Sequence, residues 1–195
     1  MATSEVQIAN MALGLLGAEP VVSALSENSI VERFFDSIRD TVLEDIDWTF
    51  AIKRVVLSSP DATSPAFEWA NRFAIPSDCL RIIEVNKNEY DWVKEGNYIL
   101  TDQSSLNVKY VRREEDVSKW PQSFVQAFSY KLAAAIAIPH TNSAEYAGGL
   151  LQMYVGLLQD ASGNDGRQGT HKPVKRNVTM KRNAAIPSNV TGPYV

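Results

Sequence analysis

Cysteine and histidine, the residues that most often carry nucleophilic and acid–base chemistry near neutral pH, are few in this chain, and their spacing ties none of them together. There is one cysteine, Cys79, and there are two histidines, His140 and His171. A nucleophilic site needs a base and an orienting group within hydrogen-bond reach. Cys79 follows Pro76-Ser77-Asp78 at the start of an apolar run, a setting in which a small thiol packs and stays inert. His140 comes directly after Pro139, and His171 lies in a basic stretch. Carboxylates are abundant, but Asp36/Asp40 and Glu44/Asp45/Asp47 fall on or beside one amphipathic segment. There a solvated face is a simpler reading than a metal or acid–base site. No HExxH, EF-hand, phosphate-loop or dinucleotide pattern occurs. Asn177-Val178-Thr179 and Asn189-Val190-Thr191 match the glycosylation acceptor pattern, yet Met1-Ala2-Thr3-Ser4-Glu5 lacks the basic start of a secretory signal. The residues predict no enzyme, no cofactor and no metal site.

The elements that would position these residues come next. The chain has 195 residues, 45% hydrophobic and 22% charged, enough for an ordinary core in one or two domains. Its longest wholly apolar run, Leu132 to Ile138, is far short of the roughly 20 residues that cross a bilayer, so an intracellular chain without a membrane partner is expected.

Ser4 and Gln7 have capping-box spacing, and Val6, Ala9, Leu13 and Leu16 follow at near-helical intervals until Gly17 and Pro20. Gly14 weakens that helix but permits close approach of a neighbour. Ser29 and Glu32 offer a second capping box. Val31, Phe34, Phe35, Ile38, Val42 and Ile46 then make one stripe, with Glu32, Arg33, Asp36, Arg39, Asp40 and Glu44 opposite. Such a charged face is either solvated or a contact surface for a neighbouring subunit.

Strand-like runs fill the middle: Ile52 to Leu57, Phe67 to Ile75, Leu80 to Val85, Tyr98 to Leu100 and Leu106 to Val111. They predict one small antiparallel sheet in which Leu106, Val108 and Tyr110 share a face. Core packing is the expectation for Trp48, Phe50, Phe67, Trp69 and Phe73, and Trp120 is placed to lock the sheet against the next helix.

Pro121 suits the first position of that helix, with Phe124, Ala127, Phe128, Leu132, Ala135 and Ile136 as its stripe. Ser143 caps a last helix carrying Ala147, Leu150, Leu151, Tyr154, Leu157 and Leu158. The fold class predicted is α+β: an antiparallel bundle of about four helices from residues 1–50 and 117–161, with a small antiparallel β domain inserted at 51–116. Residues 162–195 form an extended arm.

Charge divides along the same boundary. Residues 1–161 hold 13 Lys+Arg against 22 Asp+Glu, whereas 162–195 hold 6 against one. The arm is rich in Gly and Pro and has no sustained apolar period, so it is expected to be disordered in the free monomer. Fully extended it would reach on the order of 110 Å.

Certain runs in this order resemble a known family. An opening helix ends Ala12-Leu13-Gly14-Leu15-Leu16-Gly17-Ala18-Glu19-Pro20-Val21. An amphipathic helix closes on Asp47-Trp48-Thr49-Phe50-Ala51. The middle carries Ile75-Pro76-Ser77-Asp78-Cys79-Leu80-Arg81, and Trp120-Pro121 precedes an alanine-rich helix. Together, over about Ala2 to Tyr154, these resemble the tail tubular protein A family, the head-to-tail adaptors of short-tailed bacteriophages. The resemblance implies a structural virion protein made in the host cytoplasm. It would be a homo-oligomer, a dodecameric ring at the head–tail junction between the capsid portal protein and the tail nozzle protein. It also implies a channel through which genomic DNA passes and tail-fibre attachment nearby. The family has no catalytic residues to carry over.

On that reading Arg167, Lys172, Lys175, Arg176, Lys181 and Arg182 dock the arm on an acidic portal surface, with Ile186 or Tyr194 as apolar anchors. Many arms on one ring would act multivalently. The competing reading is a nucleic-acid-binding module whose basic arm contacts phosphates. Against it stand the acidic body and the lack of an aromatic residue between the arm's basic positions.

Overall fold

The computed structural model describes residues 4–21 and 23–165. Within them the fold is α+β, with four long helices and two small antiparallel sheets.

Helix α1 (Glu5–Leu16) begins with the reciprocal Ser4/Gln7 capping box. It ends on Gly17, whose φ of 65° is a left-handed conformation that glycine adopts without steric cost. The returning chain is pinned by Asn10, whose side chain both donates to the Val21 carbonyl and accepts from its N–H, at 2.9 and 2.8 Å. Gly14 does not admit a neighbour: a Cβ built there would meet nothing within 4 Å.

Helix α2 (Ser29–Asp45) is capped one residue earlier than expected. Asn28 is the N-cap, its side chain accepting from the Ile30 and Val31 N–H groups, and Ser29 is already helical. Val31, Phe35, Val42 and Leu43 are buried as an amphipathic stripe requires. Arg39, expected on the solvated side, is buried too, because Asp36 and Asp40 satisfy it at 2.9 and 3.0 Å.

The strands are β1 (Ile52–Leu57), β2 (Asn71–Ala74), β3 (Cys79–Val85), β4 (Val93–Glu95), β5 (Tyr98–Thr101) and β6 (Leu106–Arg112). They form two sheets rather than the one expected, in the orders β1-β6-β3 and β2-β5-β4. Strand β4 escaped the sequence because all three of its residues are exposed, which leaves no alternation to read. Phe67 to Ala70 are not strand, and Phe67 is 80% exposed rather than packed.

Strand β6 explains how the layers join. Leu106, Val108 and Tyr110 point into a β core with Phe73, Val85 and Ile99. Val111 points the other way, into the helical core, where Leu80 and Ile83 of β3 also pack. The β1-β6-β3 sheet is therefore a middle layer between the helices and the second sheet.

Helix α3 (Gln122–Thr141) lies at the centre of the bundle, with α1, α2 and α4 all packed against it. Pro121 is its N-cap in extended conformation, not its first helical residue. Pro139 is accommodated in the last turn, and the helix continues to Thr141 before Asn142 closes it with φ 55°. At the bundle's core Phe35, Trp48, Phe50, Trp120, Phe124 and Phe128 form one aromatic cluster. Trp120 lies 4.8 Å from Phe124, and Trp48 5.0 Å from Phe124, both edge to face. Such pairs contribute about 0.5–1.5 kcal/mol each beyond burial.

Helix α4 (Ala144–Asp165) is capped by the Ser143 side chain, which accepts from the Tyr146 N–H at 3.2 Å. It runs four residues past the boundary expected for the arm, so 162–165 belong to the helix. The remaining arm, with Arg167, Lys172, Lys175, Arg176, Lys181, Arg182, Ile186 and Tyr194, lies outside the described residues. Among the described residues no helix is long and apolar enough to cross a membrane.

Candidate assembly surface

The thiol and several of the carboxylates that could do chemistry are engaged structurally. Cys79 starts β3, half buried, and burial pushes its thiol up to about 11, where little thiolate forms near neutrality. His140 is exposed in the last turn of α3; His171 lies outside the described residues.

Of the carboxylate groups read from the sequence, Asp36 and Asp40 share Arg39, whereas Asp45 and Asp47 go to separate partners. Asp40 also receives Arg113 at 2.8 Å. Arg81 of β3 bridges to Asp47 at 2.5 Å and donates to the Glu44 carbonyl at 3.0 Å, while Asp45 accepts from the Tyr154 hydroxyl. Burial, then the bond to Asp45, drives the Tyr154 phenol far above its ordinary value. These contacts tie the end of α2 to β3 and to α4. Among the described residues no three His, Cys, Asp or Glu are grouped so as to hold a metal ion.

One polar cluster lies at the sheet. Asp78 accepts from Lys53 Nζ at 2.7 Å and from the Tyr110 hydroxyl at 2.8 Å. Burial opposes ionisation of Asp78, but these two bonds outweigh it and hold the carboxyl below its ordinary range. The same contacts raise Lys53, and burial, then Asp78, raises Tyr110. The arrangement joins the loop before β3 to β1 and β6.

The surface itself is more informative. Helix α4 packs against α3 and buries Ala147, Leu150, Tyr154 and Ala161. Tyr146, Leu151, Met153 and Val155 on the same helix stay exposed, Met153 at 55%, and Ile138 of α3 is exposed beside its own C-terminus. Leu151, expected in the buried stripe, is therefore an outer residue. Gly149, Gly156 and Gly163 recur every seven residues, and a Cβ built on any of them would meet nothing within 4 Å. The charged residues of α4 are Glu145, Asp160 and Asp165 alone. This surplus of apolar positions was readable in the sequence: Leu150 to Leu158 holds more apolar residues than one buried stripe uses. At about 100° per residue the exposed side chains fall on two flanks of the buried stripe, Leu151 and Val155 on one and Tyr146 and Met153 on the other, and exposed apolar flanks are places where other protein surfaces can pack. No protein-family model matches the chain, and no curated protein matches it.

Proposed function

We propose that this chain is a structural virion protein: a head-to-tail adaptor whose copies form a ring between the capsid portal and the tail nozzle and line the DNA passage. The observation that carries the reading is the one-sided burial of α4, a 22-residue helix covered by α3 and carrying exposed Leu151, Met153 and Val155. Leu151 and Val155 lie on one flank of the helix and Met153 on the other, and a ring subunit must bury side faces against identical copies on both sides. The order of the runs around Ala12–Val21, Asp47–Ala51, Ile75–Arg81 and Trp120-Pro121 supports the same family.

In this reading residues 166–195, with 6 Lys+Arg and no acid, dock on an acidic portal surface, and tail fibres attach near the nozzle junction. Electron microscopy of the purified chain mixed with portal particles tests the proposal: a ring capping the portal is expected, and bare portals beside unassembled chain would refute it. The basic segment also favours a second reading, a nucleic-acid-binding module. Duplex-DNA binding that weakens steeply with salt, in the absence of any portal, would favour that reading.

A further inference from the structure

Seven of the 13 Lys and Arg among the described residues are in ion pairs. Three of the six that are not, Arg54, Lys87 and Lys109, line one shallow groove on the helix-side face of the β1-β6-β3 sheet, beyond the helices. Register places Lys109 between Arg54 on β1 and Glu84 on β3, and the next pair along is Val56 and Asn107. Val56 is 63% exposed. Two cations directly opposite on neighbouring strands repel each other, and the single acid Glu84 cannot neutralise all three.

Lys87 is held there at a cost. It sits between Asn86 and Asn88 in a run of three residues with φ of 46°, 54° and 56°, and Asn86 is anchored by accepting from the Asn107 N–H at 2.8 Å. A lysine has no intrinsic preference for that conformation.

The complementary pattern lies on α2. Glu32 and Asp36 are exposed one turn apart, about 6 Å along the axis, with Arg33 exposed beside them. In the groove, Arg54 and Lys109 are directly opposite on neighbouring strands, with Cβ atoms about 5 Å apart, close to the spacing of the two acids. The groove thus offers several cations and one acid; the helix offers Glu32, the outer side of Asp36, whose other contact is to Arg39, and the cation Arg33. They cannot meet within one chain. Arg81 fixes the C-terminal end of α2 to β3, which leaves Glu32 about 18 Å further along the helix.

We propose that the groove of Arg54, Lys87 and Lys109 receives the first turns of α2 from a second copy, with Glu32 and Asp36 against the cations and Arg33 against Glu84. Because two different patches meet, the contact is heterologous, and repetition gives a ring or a filament. The inference rests on the assembly reading above and assigns it a contact.

Charge reversal tests it in the full chain by sedimentation over a concentration series. Arg54→Glu places an acid opposite Lys109, which suits the sheet, so folding, checked by circular dichroism, is preserved. Arg54→Glu and Glu32→Arg should each weaken self-association at least tenfold, and a mixture of the two variants should restore it. Equal association of wild type and both single variants would overturn this contact while leaving assembly standing. Loss without restoration in the mixture would overturn the pairing. A wild type that stays monomeric both alone and with portal particles would overturn the assembly reading itself. Arg54→Glu abolishing duplex-DNA binding with self-association untouched would reassign the groove to nucleic acid.

Discussion

Arg39 shows how far one side chain departs from the periodicity around it. Its side chain is 9% exposed while that of its partner Asp36 is 78% exposed, so the pair is asymmetric. Removing the cation leaves carboxylates that water or Arg113 can serve, whereas removing the acids strands a guanidinium away from water. Arg39→Met should therefore cost only about 1 kcal/mol, and Asp36→Asn with Asp40→Asn about 3 kcal/mol, as measured by urea unfolding. The reverse order would mean that the arginine acts through charge on the surface rather than as a buried group. Asp78 allows a second test. Its carboxyl is held below the usual range, so its contribution to stability is present above the unfolded value of about 3.9 and is lost as pH falls through the folded value. Lys53→Met removes one of the two bonds that oppose burial. NMR titration should then show the Asp78 carboxyl rising, with the acid limb of unfolding moving to higher pH; an unmoved titration would remove Lys53 from the account.

At the level of elements, the aromatic cluster and α4 obey different rules. Trp120 lies between β6 and α3 and touches Phe35, Phe124 and Phe128, while its indole N–H donates to the Glu114 carbonyl at 3.1 Å. Trp120→Ala should cost roughly 3–5 kcal/mol, read from denaturant midpoints. That Trp120 packs was legible in the sequence, since a large ring before a helix start must be buried; its partners were not, because the ring contacts reach Phe35 of α2 and Phe124 and Phe128 of α3 rather than the sheet it was expected to lock. The strong helical periods and the alternation in Leu106–Tyr110 were legible for the same reason: burial on one face imposes a period. The second sheet was not, because β4 is exposed throughout and β2 is only four residues long. The cap at Asn28 was missed because Ser29 also fits the pattern, and only the backbone geometry chooses between them. On α4 the sequence showed apolar residues but not which of them stay outside. Gly156 is exposed to nothing within 4 Å, so Gly156→Ala should stabilise the isolated chain by about 0.5–1 kcal/mol through helix propensity. If a neighbouring helix packs there, the same methyl should weaken self-association. A thermal melt and a sedimentation series on the same variant separate the two effects, and unchanged association would remove the glycine face from the interface.

For the whole molecule the governing quantity is the division of charge. Residues 166–195 carry 6 Lys+Arg and no acid in a chain of net charge −4, so the rest carries −10. Arg167, Lys172, Lys175, Arg176, Lys181 and Arg182 stand out as a group by composition; they lie outside the described residues, and composition alone would fix the sign of a partner surface and not its shape. The exposed flanks of α4 and the groove around Val56 belong to the folded body and do not depend on those residues. On the proposed reading the two make separable contributions: body faces join copies of the chain, and the basic segment joins the assembly to an acidic partner. Ending the chain after Asp165 preserves all of α4 and removes every one of those six cations. The shortened chain should keep its circular dichroism and its self-association, and it should lose the salt-sensitive part of portal binding, since attraction between exposed charges is screened beyond about 8 Å at physiological ionic strength. Portal binding of undiminished strength and unchanged salt dependence would show that the basic segment has no part in docking. Loss of self-association would instead show that the segment runs between copies, in competition with the contact proposed for Arg54, Lys87 and Lys109.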